Sequence, residues 1–192
     1  MTFLRTTLAA AALLTAGPAL AHTGAGAVHG FAAGFAHPML GFDHLLAMVA
    51  VGLWAALAGG RALWAWPLAF AGVMVLGAGL GFSPLGLPHV ELSIGATVVL
   101  LGLAAAFQVS LPVLAGAALC GIFALFHGYA HGVEIPAEAS AFAYVAGFTL
   151  ATTLLHAAGV ALGSAMVRTD RVWLPGLAGS AVATAGIVLL VG

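Results

Sequence analysis

The chain has 192 residues, of which 64% are hydrophobic and only 5% are charged, and its mean hydropathy is +1.21. A water-soluble domain carries about a quarter of its residues as charged side chains, so this composition predicts a protein embedded in lipid. The net charge of −1 gives no basic surface for phosphates, which argues against nucleic acid as a partner. The single cysteine excludes an internal disulfide, whereas eight histidines nearly match the four basic and five acidic residues together.

The first 21 residues have the pattern of a cleavable secretory signal peptide. Arg5 precedes the apolar segment TLAAAALLTAG, and the small residues Ala19 and Ala21 lie just before the expected cleavage point, which follows Ala21. Cleavage makes His22 the mature N-terminus, on the exported side of the membrane, where its imidazole and free amine are a candidate chelate. The alternative is an uncleaved first membrane helix, which the short apolar segment disfavours.

Six apolar segments follow the signal and are separated by short breaks. They lie at about 37–58, 63–82, 90–107, 111–131, 140–166 and 172–191. Most are close to the ~20 residues that cross ~30 Å of hydrocarbon as a helix. The sequence therefore predicts an all-α integral membrane bundle of six transmembrane helices, forming one domain from 22 to 192. The breaks leave no room for a soluble nucleotide-binding domain.

The charged side chains in the breaks indicate how these helices are oriented. With the mature N-terminus outside, every positive charge after the signal falls in a cytoplasmic break: Arg61, Arg168 and Arg171. The exported breaks hold three carboxylates: Glu91, Glu134 and Glu138. This distribution follows the positive-inside rule and predicts a multi-pass protein of the bacterial inner membrane.

The segment FHGYAHGVE at 126–134 concentrates three ionisable side chains at the end of the fourth apolar segment. His127, His131 and Glu134 share one face of a helix, because they are spaced four and then three residues apart. Two imidazoles one turn apart can bind a divalent ion, and the carboxylate can bind it too or orient a histidine. The alternative is a set of histidines hydrogen-bonded near the lipid headgroups, although ionisable side chains at membrane depth usually mark function.

A second cluster, HPMLGFDH at 37–44, opens the first apolar segment. We expect Pro38 at the start of this helix, with His37 at its exported end. On a continuous helix His44 lies on the same face as His37, and Asp43 and His44 lie about 9–10 Å deeper. A buried carboxylate needs a partner, which is either a bound cation or a histidine that it merely holds in place.

The predicted topology brings the two clusters to the same half of the membrane. The first helix runs inward and begins with its polar residues, whereas the fourth runs outward and ends with its polar residues. Glu91 opens the third helix at a similar depth. Several imidazole nitrogens and carboxylate oxygens together suit borderline divalent ions such as nickel, cobalt or zinc.

The two motifs resemble the HupE/UreJ family of membrane proteins, and the resemblance extends over the whole mature chain. It implies uptake of nickel or cobalt for metalloenzymes such as hydrogenase or urease. By this resemblance the metal-binding residues are His37, Asp43, His44, Glu91, His127, His131 and Glu134. Phe70, in WPLAFAG, is a further family position for which we expect a pathway or gating role.

Other polar and sulfur-containing residues have weaker patterns. His156 lies midway along the fifth segment, as either a deeper relay ligand on the pathway or a hydrogen-bonded core histidine. Met39, Met48 and Met74 are scattered and form no methionine ladder. Cys120 is interpreted as a packing residue.

The function that these observations favour is a secondary transporter, not an enzyme, that takes Ni²⁺ or Co²⁺ from the exported side. We expect no permanently bound cofactor, and Zn²⁺ is a further candidate ion. The partners are the divalent ion and the lipid bilayer, with homo-oligomerisation left open. The alternatives are an intramembrane zinc-dependent hydrolase with Glu134 as its base, and a membrane metal-binding accessory protein or sensor.

Overall fold

The computed structural model describes residues 30–137 and 139–192, and within these ranges the chain is helical with no strand. The signal segment, His22 and Glu138 lie outside the described residues. The helices are α1 (Gly30–Leu40), α2 (Phe42–Ala58), α3 (Ala62–Gly81), α4 (Val90–Ala106), α5 (Val113–Val133), α6 (Ala141–Val167) and α7 (Leu174–Val191). The predicted all-α fold is confirmed for this part of the chain.

The first apolar segment differs from its prediction. It was expected to form one helix that begins near His37, but α1 and α2 meet at a break where their axes bend by 77°. Pro38 lies inside the last turn of α1, not at a helix start, and Gly41 has an extended backbone with φ −77° and ψ 108°. Proline removes a helical hydrogen bond, so the helix ends just beyond it and a new helix begins at Phe42.

Most of the helices are apolar and long enough to cross a bilayer. Four qualify individually by length and composition (α3, α5, α6 and α7), and the bent pair α1–α2 passes the same test as a broken span. Helix α4 is apolar but has only 17 residues. The chain is therefore a multi-pass membrane protein by these criteria, and the count of six spans stays a prediction.

Four helix pairs build the bundle: α3 with α5, α4 with α7, α2 with α6 and α1 with α6, while α2 also contacts α1, α3, α4 and α7. Small residues let the backbones approach closely, as is typical of helix association in lipid. A Cβ atom on Gly128 of α5 would collide with the Met74 carbonyl of α3, and one on Gly159 of α6 would collide with the Val49 carbonyl of α2.

Contacts along α2 and α6 show that these helices run in the same direction. Met48 meets Thr152, Gly52 meets His156, and one turn later the side chain of Ala56 packs against Gly163. The C-terminal ends of α2 and α6 therefore lie at one end of the bundle. Arg61 follows α2, and Arg168 and Arg171 follow α6, so the three arginines share that end.

Two buried tryptophans pack together near the arginine end of the bundle. The rings of Trp54 in α2 and Trp66 in α3 lie 4.3 Å apart. Their indole nitrogens donate hydrogen bonds to the carbonyls of Val109 and Val113, at 2.8 and 2.9 Å. These bonds join the α4–α5 connection to α2 and the first residue of α5 to α3.

Candidate metal centre

Three imidazoles from three helices converge at the end of the bundle opposite the arginines. His37 of α1, His44 of α2 and His131 of α5 each offer one ring nitrogen, and these nitrogens all lie within 4.8 Å of one another. The ring of His131 lies 4.7 Å from those of both His37 and His44, measured between centroids. His44 and His131 are buried, and His37 is partly buried.

The bend between α1 and α2 creates this convergence. On one continuous helix, residues seven apart would be separated by about 10 Å along the axis. The observed ring centroids of His37 and His44 are only 5.6 Å apart, because the chain leaves the helix at Gly41 and turns. The expectation that the two histidines lie two turns apart on one helix face is therefore wrong.

Two of the three histidines, His44 and His37, each contact a carboxylate. Asp43 Oδ1 lies 2.8 Å from His44 Nδ1 and accepts a second hydrogen bond from the His44 backbone N–H at 2.7 Å. Glu134 Oε2 lies 3.0 Å from His37 Nε2. A carboxylate can only accept, so Nδ1–H of His44 donates and Nε2 keeps its lone pair. Such a partner fixes the tautomer of a metal-binding histidine and raises its basicity.

His131 lies at the middle of the cluster and is fully buried. Its ring stacks on Phe148 of α6, with a centroid separation of 4.5 Å and an interplanar angle of 7°. Within the described part of the chain, neither ring nitrogen of His131 has a hydrogen-bond partner, and the same holds for His44 Nε2. A buried polar atom without a partner costs about 1–3 kcal/mol, and a bound ligand would remove that cost at these nitrogens.

His127 lies one turn deeper on α5 and extends the cluster toward the centre of the bundle. Its ring is 4.9 Å from that of His44. The Thr97 hydroxyl of α4 donates to the Ile94 carbonyl at 2.7 Å, so it accepts from His127 Nε2 at 2.8 Å. This network assigns the proton to Nε2 and leaves the lone pair on Nδ1, which is buried and has no partner among the described residues.

The remaining predicted site residues lie around this cluster without joining it. Phe70 is fully buried, with its ring 5.5 Å from that of His127 and 5.2 Å from that of His156. Glu91 is exposed in the first turn of α4 and lines a cleft of about 400 Å³ together with Asp43. The structure thus relates Glu91 to the outer side of the centre, not to its three imidazoles.

Residues that sequence reasoning missed complete the surroundings of the centre. Thr97 orients His127, and Tyr144 lies with its ring 6.2 Å from that of His37. Tyr144 and Phe148 recur at a spacing of four with Thr152 and His156 along α6, and all four are buried. The four-residue spacing of this stripe can be read from the sequence and could have identified Tyr144. Thr97 is a single threonine in an apolar helix, and no sequence pattern identifies it.

The comparison with known proteins agrees with the motifs and their geometry. The sequence model of the HupE / UreJ protein family matches residues 10–189. Protein HupE of Rhizobium leguminosarum bv. viciae is 48% identical over 188 residues, which cover 97% of this chain and 96% of that relative. The chain belongs to the HupE/UreJ family. No solved structure matches it.

The HupE/UreJ match includes both motifs that form the cluster. Residues 37–44 supply the bend with His37, Asp43 and His44, and residues 126–134 supply the end of α5. The cluster is therefore formed by parts of the chain that all lie within the family match.

Proposed function

We propose that this protein is a secondary transporter that takes a divalent transition-metal ion, Ni²⁺ or Co²⁺, from the exported side of the membrane. The observation that carries the proposal is the convergence of His37, His44 and His131 within 4.8 Å inside a bundle of apolar helices. Ionisable side chains at membrane depth are costly and mark ion pathways. Membership of the HupE/UreJ family is consistent with metal transport.

The chemistry of the donor atoms favours a borderline ion. Imidazole nitrogens suit nickel, cobalt and zinc better than magnesium or calcium, which prefer oxygen ligands. The carboxylates of Asp43 and Glu134 contact histidines and supply negative charge next to the ion. A broken helix is a recurrent way to build an ion site in transporters, because its ends free the chain to surround the cargo.

The ion reaches the three imidazoles from the cleft that Asp43 and Glu91 line, and then moves inward past His127. Phe70 separates His127 from His156, so its ring acts as a gate between an outer and an inner compartment. Binding at the outer centre must be strong enough to replace water and weak enough to allow release. On the outer side of Phe70, the imidazole rings contact one another in series, with centroids 4.7–4.9 Å apart, which suits stepwise transfer.

We assign the protein to the bacterial inner membrane, with its mature N-terminus and the imidazole cluster on the exported side. The support is the location of Arg61, Arg168 and Arg171 at the opposite end of the bundle. The partners are the lipid bilayer and the transported ion. The ion is cargo, so the function requires no permanently bound cofactor. A homo-oligomer is compatible with this function. His22 remains a candidate chelate outside the described residues.

The alternative of an intramembrane zinc hydrolase finds less support. Such an enzyme needs a carboxylate base facing a metal-bound water. Asp43 and Glu134 instead contact ring nitrogens of His44 and His37. An accessory metal-binding role requires a docking surface, and the connections between helices are short.

Uptake of radiolabelled nickel by cells lacking the chromosomal gene tests the proposal. Cells that express the wild-type protein, or the control variant His89→Asn, should accumulate nickel, because His89 is an exposed residue outside the cluster. Its backbone φ of 55° also suits asparagine. Cells that express His44→Ala should take up no more than the vector control. Equal uptake by His44→Ala and wild type would contradict the proposal.

A further inference from the structure

Two methionines that are far apart in the sequence meet in the interior of the bundle. The Thr152 hydroxyl of α6 lies 3.2 Å from Met48 Sδ of α2 and 3.7 Å from Met74 Sδ of α3. All three side chains are fully buried. Although the methionines are scattered along the sequence and form no ladder, helix packing brings the thioethers of Met48 and Met74 to one hydroxyl.

The hydrogen bonding of Thr152 is unusual for a threonine in a helix. The neighbouring Thr153 donates to the carbonyl of Thr149, one turn back, at 2.8 Å. Thr152 instead directs its hydroxyl to thioether sulfurs, which are weak acceptors. The Thr152 hydroxyl therefore donates to sulfur, and its oxygen and both thioethers lie close together in the interior of the bundle.

A histidine lies one turn beyond this group on the same helix. His156 follows Thr152 by four residues. Gly52, one turn after Met48, packs against the backbone carbonyl of His156. Phe70, one turn before Met74, contacts its ring at 5.2 Å. His156 is 3% exposed, and its Nε2 atom has no hydrogen-bond partner in residues 30–137 and 139–192. Two sulfurs, a hydroxyl and an imidazole ring thus occur within about one helical turn of one another along the bundle.

We propose that Met48, Met74, Thr152 and His156 form a second, inner binding site for a soft or borderline transition-metal cation. The site begins beside His127, where Met74 packs against Gly128, and extends past Phe70 to His156 toward the arginine end. An ion that leaves the imidazole centre toward the cytoplasm therefore meets it next. Thioethers are neutral and soft, and they hold Ni²⁺ or Co²⁺ less tightly than imidazoles backed by carboxylates do. A weaker inner site allows release toward the cytoplasm. The role of the site in transport rests on the proposed function, whereas its ability to bind a metal ion does not.

Silver ion is the probe for the site, because it binds thioethers firmly. Met39 and Met166 serve as internal controls. The purified protein carries methionines labelled with ¹³C at the methyl group and Cys120→Ala, which removes the free thiol. Leucine substitutions assign each signal. We expect Ag⁺ to shift the methyl signals of Met48 and Met74 and to leave those of Met39 and Met166 unchanged. Shifts of Met39 and Met166 as large as those of Met48 and Met74, or no shift at all, would overturn the inference.

A transport measurement separates the inner site from the outer centre. The double variant Met48→Leu/Met74→Leu conserves side-chain volume, so the bundle should retain its fold. We expect it to bind Ni²⁺ at the imidazole centre with wild-type affinity, to lose the binding of Ag⁺ that calorimetry still detects in His44→Ala, and to take up nickel at least tenfold more slowly. Met166→Leu should match wild type in all three measurements. Wild-type nickel uptake by the double variant would overturn the transport role of the site and leave the outer centre untouched.

Discussion

At the scale of single residues, the centre depends on how carboxylates orient the imidazoles. Asp43 holds His44 through a 2.8 Å contact to Nδ1, so the lone pair stays on Nε2, which has no hydrogen-bond partner among the described residues. Thr97 does the same for His127 through a different tautomer. A metal site whose ligands are held in this way loses affinity when the supporting partner is lost, even though every ligand remains.

Asp43→Asn tests this support. Asparagine keeps the size of the side chain but loses the charge, and it can present its amide N–H₂ to His44. We expect the affinity of the purified protein for Ni²⁺ to fall by roughly 10–100-fold, measured by isothermal titration calorimetry. Asp170→Asn is the matched control, because Asp170 is exposed in the α6–α7 connection. An unchanged affinity in Asp43→Asn would show that the carboxylate does not support the site.

Phe70 offers a residue-scale test of the pathway. Phe70→Leu shortens a ring that lies between two imidazoles while keeping the position apolar. We expect Ni²⁺ affinity at the outer centre to stay within about twofold of wild type, whereas the initial rate of nickel uptake changes several-fold. Phe107→Leu, at an exposed position, is the control. A Phe70→Leu variant with wild-type uptake would remove Phe70 from the pathway.

At this scale the sequence predicts the residue types but not all of their partners. The histidines and carboxylates stand out because charged and ionisable side chains are rare in this chain. Thr97, Met48 and Met74 do not stand out, since threonine and methionine are ordinary residues in apolar helices. Their roles emerge only when α2, α3, α4 and α6 pack together.

At the scale of helices, the break between α1 and α2 is the decisive feature. The predicted helix bounds agree with the structure to within a few residues elsewhere, because apolar segments and their Gly, Pro or charged boundaries are clear signals. The break was not predicted, because Pro38 is compatible with a helix start and Gly41 with a helix interior. Apolar periodicity alone does not distinguish a straight span from a bent one.

The pairing of α3 and α5 can be tested through Gly128. A Cβ atom there would collide with the Met74 carbonyl, so Gly128→Ala must separate the helices next to both His127 and His131. Overpacking of this kind costs about 1–3 kcal/mol, so we expect the melting temperature in detergent to fall by several degrees and Ni²⁺ binding to weaken. Gly72→Ala is the matched control, because open space surrounds that position. Equal melting temperatures for the two variants would contradict the predicted close approach.

At the scale of the whole molecule, the polar cluster and the arginines occupy opposite ends of the bundle. The parallel arrangement of α2 and α6 requires Arg61, Arg168 and Arg171 to lie together, independently of any assumption about the membrane. The composition and the positive-inside rule predict this asymmetry from sequence. Whether α4 crosses the bilayer fully is not determined by its sequence, because its 17 residues are near the lower limit for a span.

The orientation can be measured by labelling single cysteines with a membrane-impermeant maleimide in a Cys120→Ala background. Leu85, which is exposed between α3 and α4, and Thr169, which is exposed after α6, lie at opposite ends of the bundle. We expect Leu85→Cys to react in intact cells and Thr169→Cys to react only after the inner membrane is permeabilised. The reverse pattern would place the imidazole cluster on the cytoplasmic side and reject uptake from outside.

The most direct test of the metal centre is ion binding by the purified, signal-cleaved protein, with Ni²⁺, Co²⁺ and Zn²⁺ compared by calorimetry. His131→Ala should weaken binding by more than the roughly 10–100-fold that loss of a supporting partner costs, because His131 lies between the other two imidazoles. His89→Asn should bind as the wild type does, and all three proteins should elute as the same species. Equal affinity in His131→Ala and wild type would contradict the proposed centre.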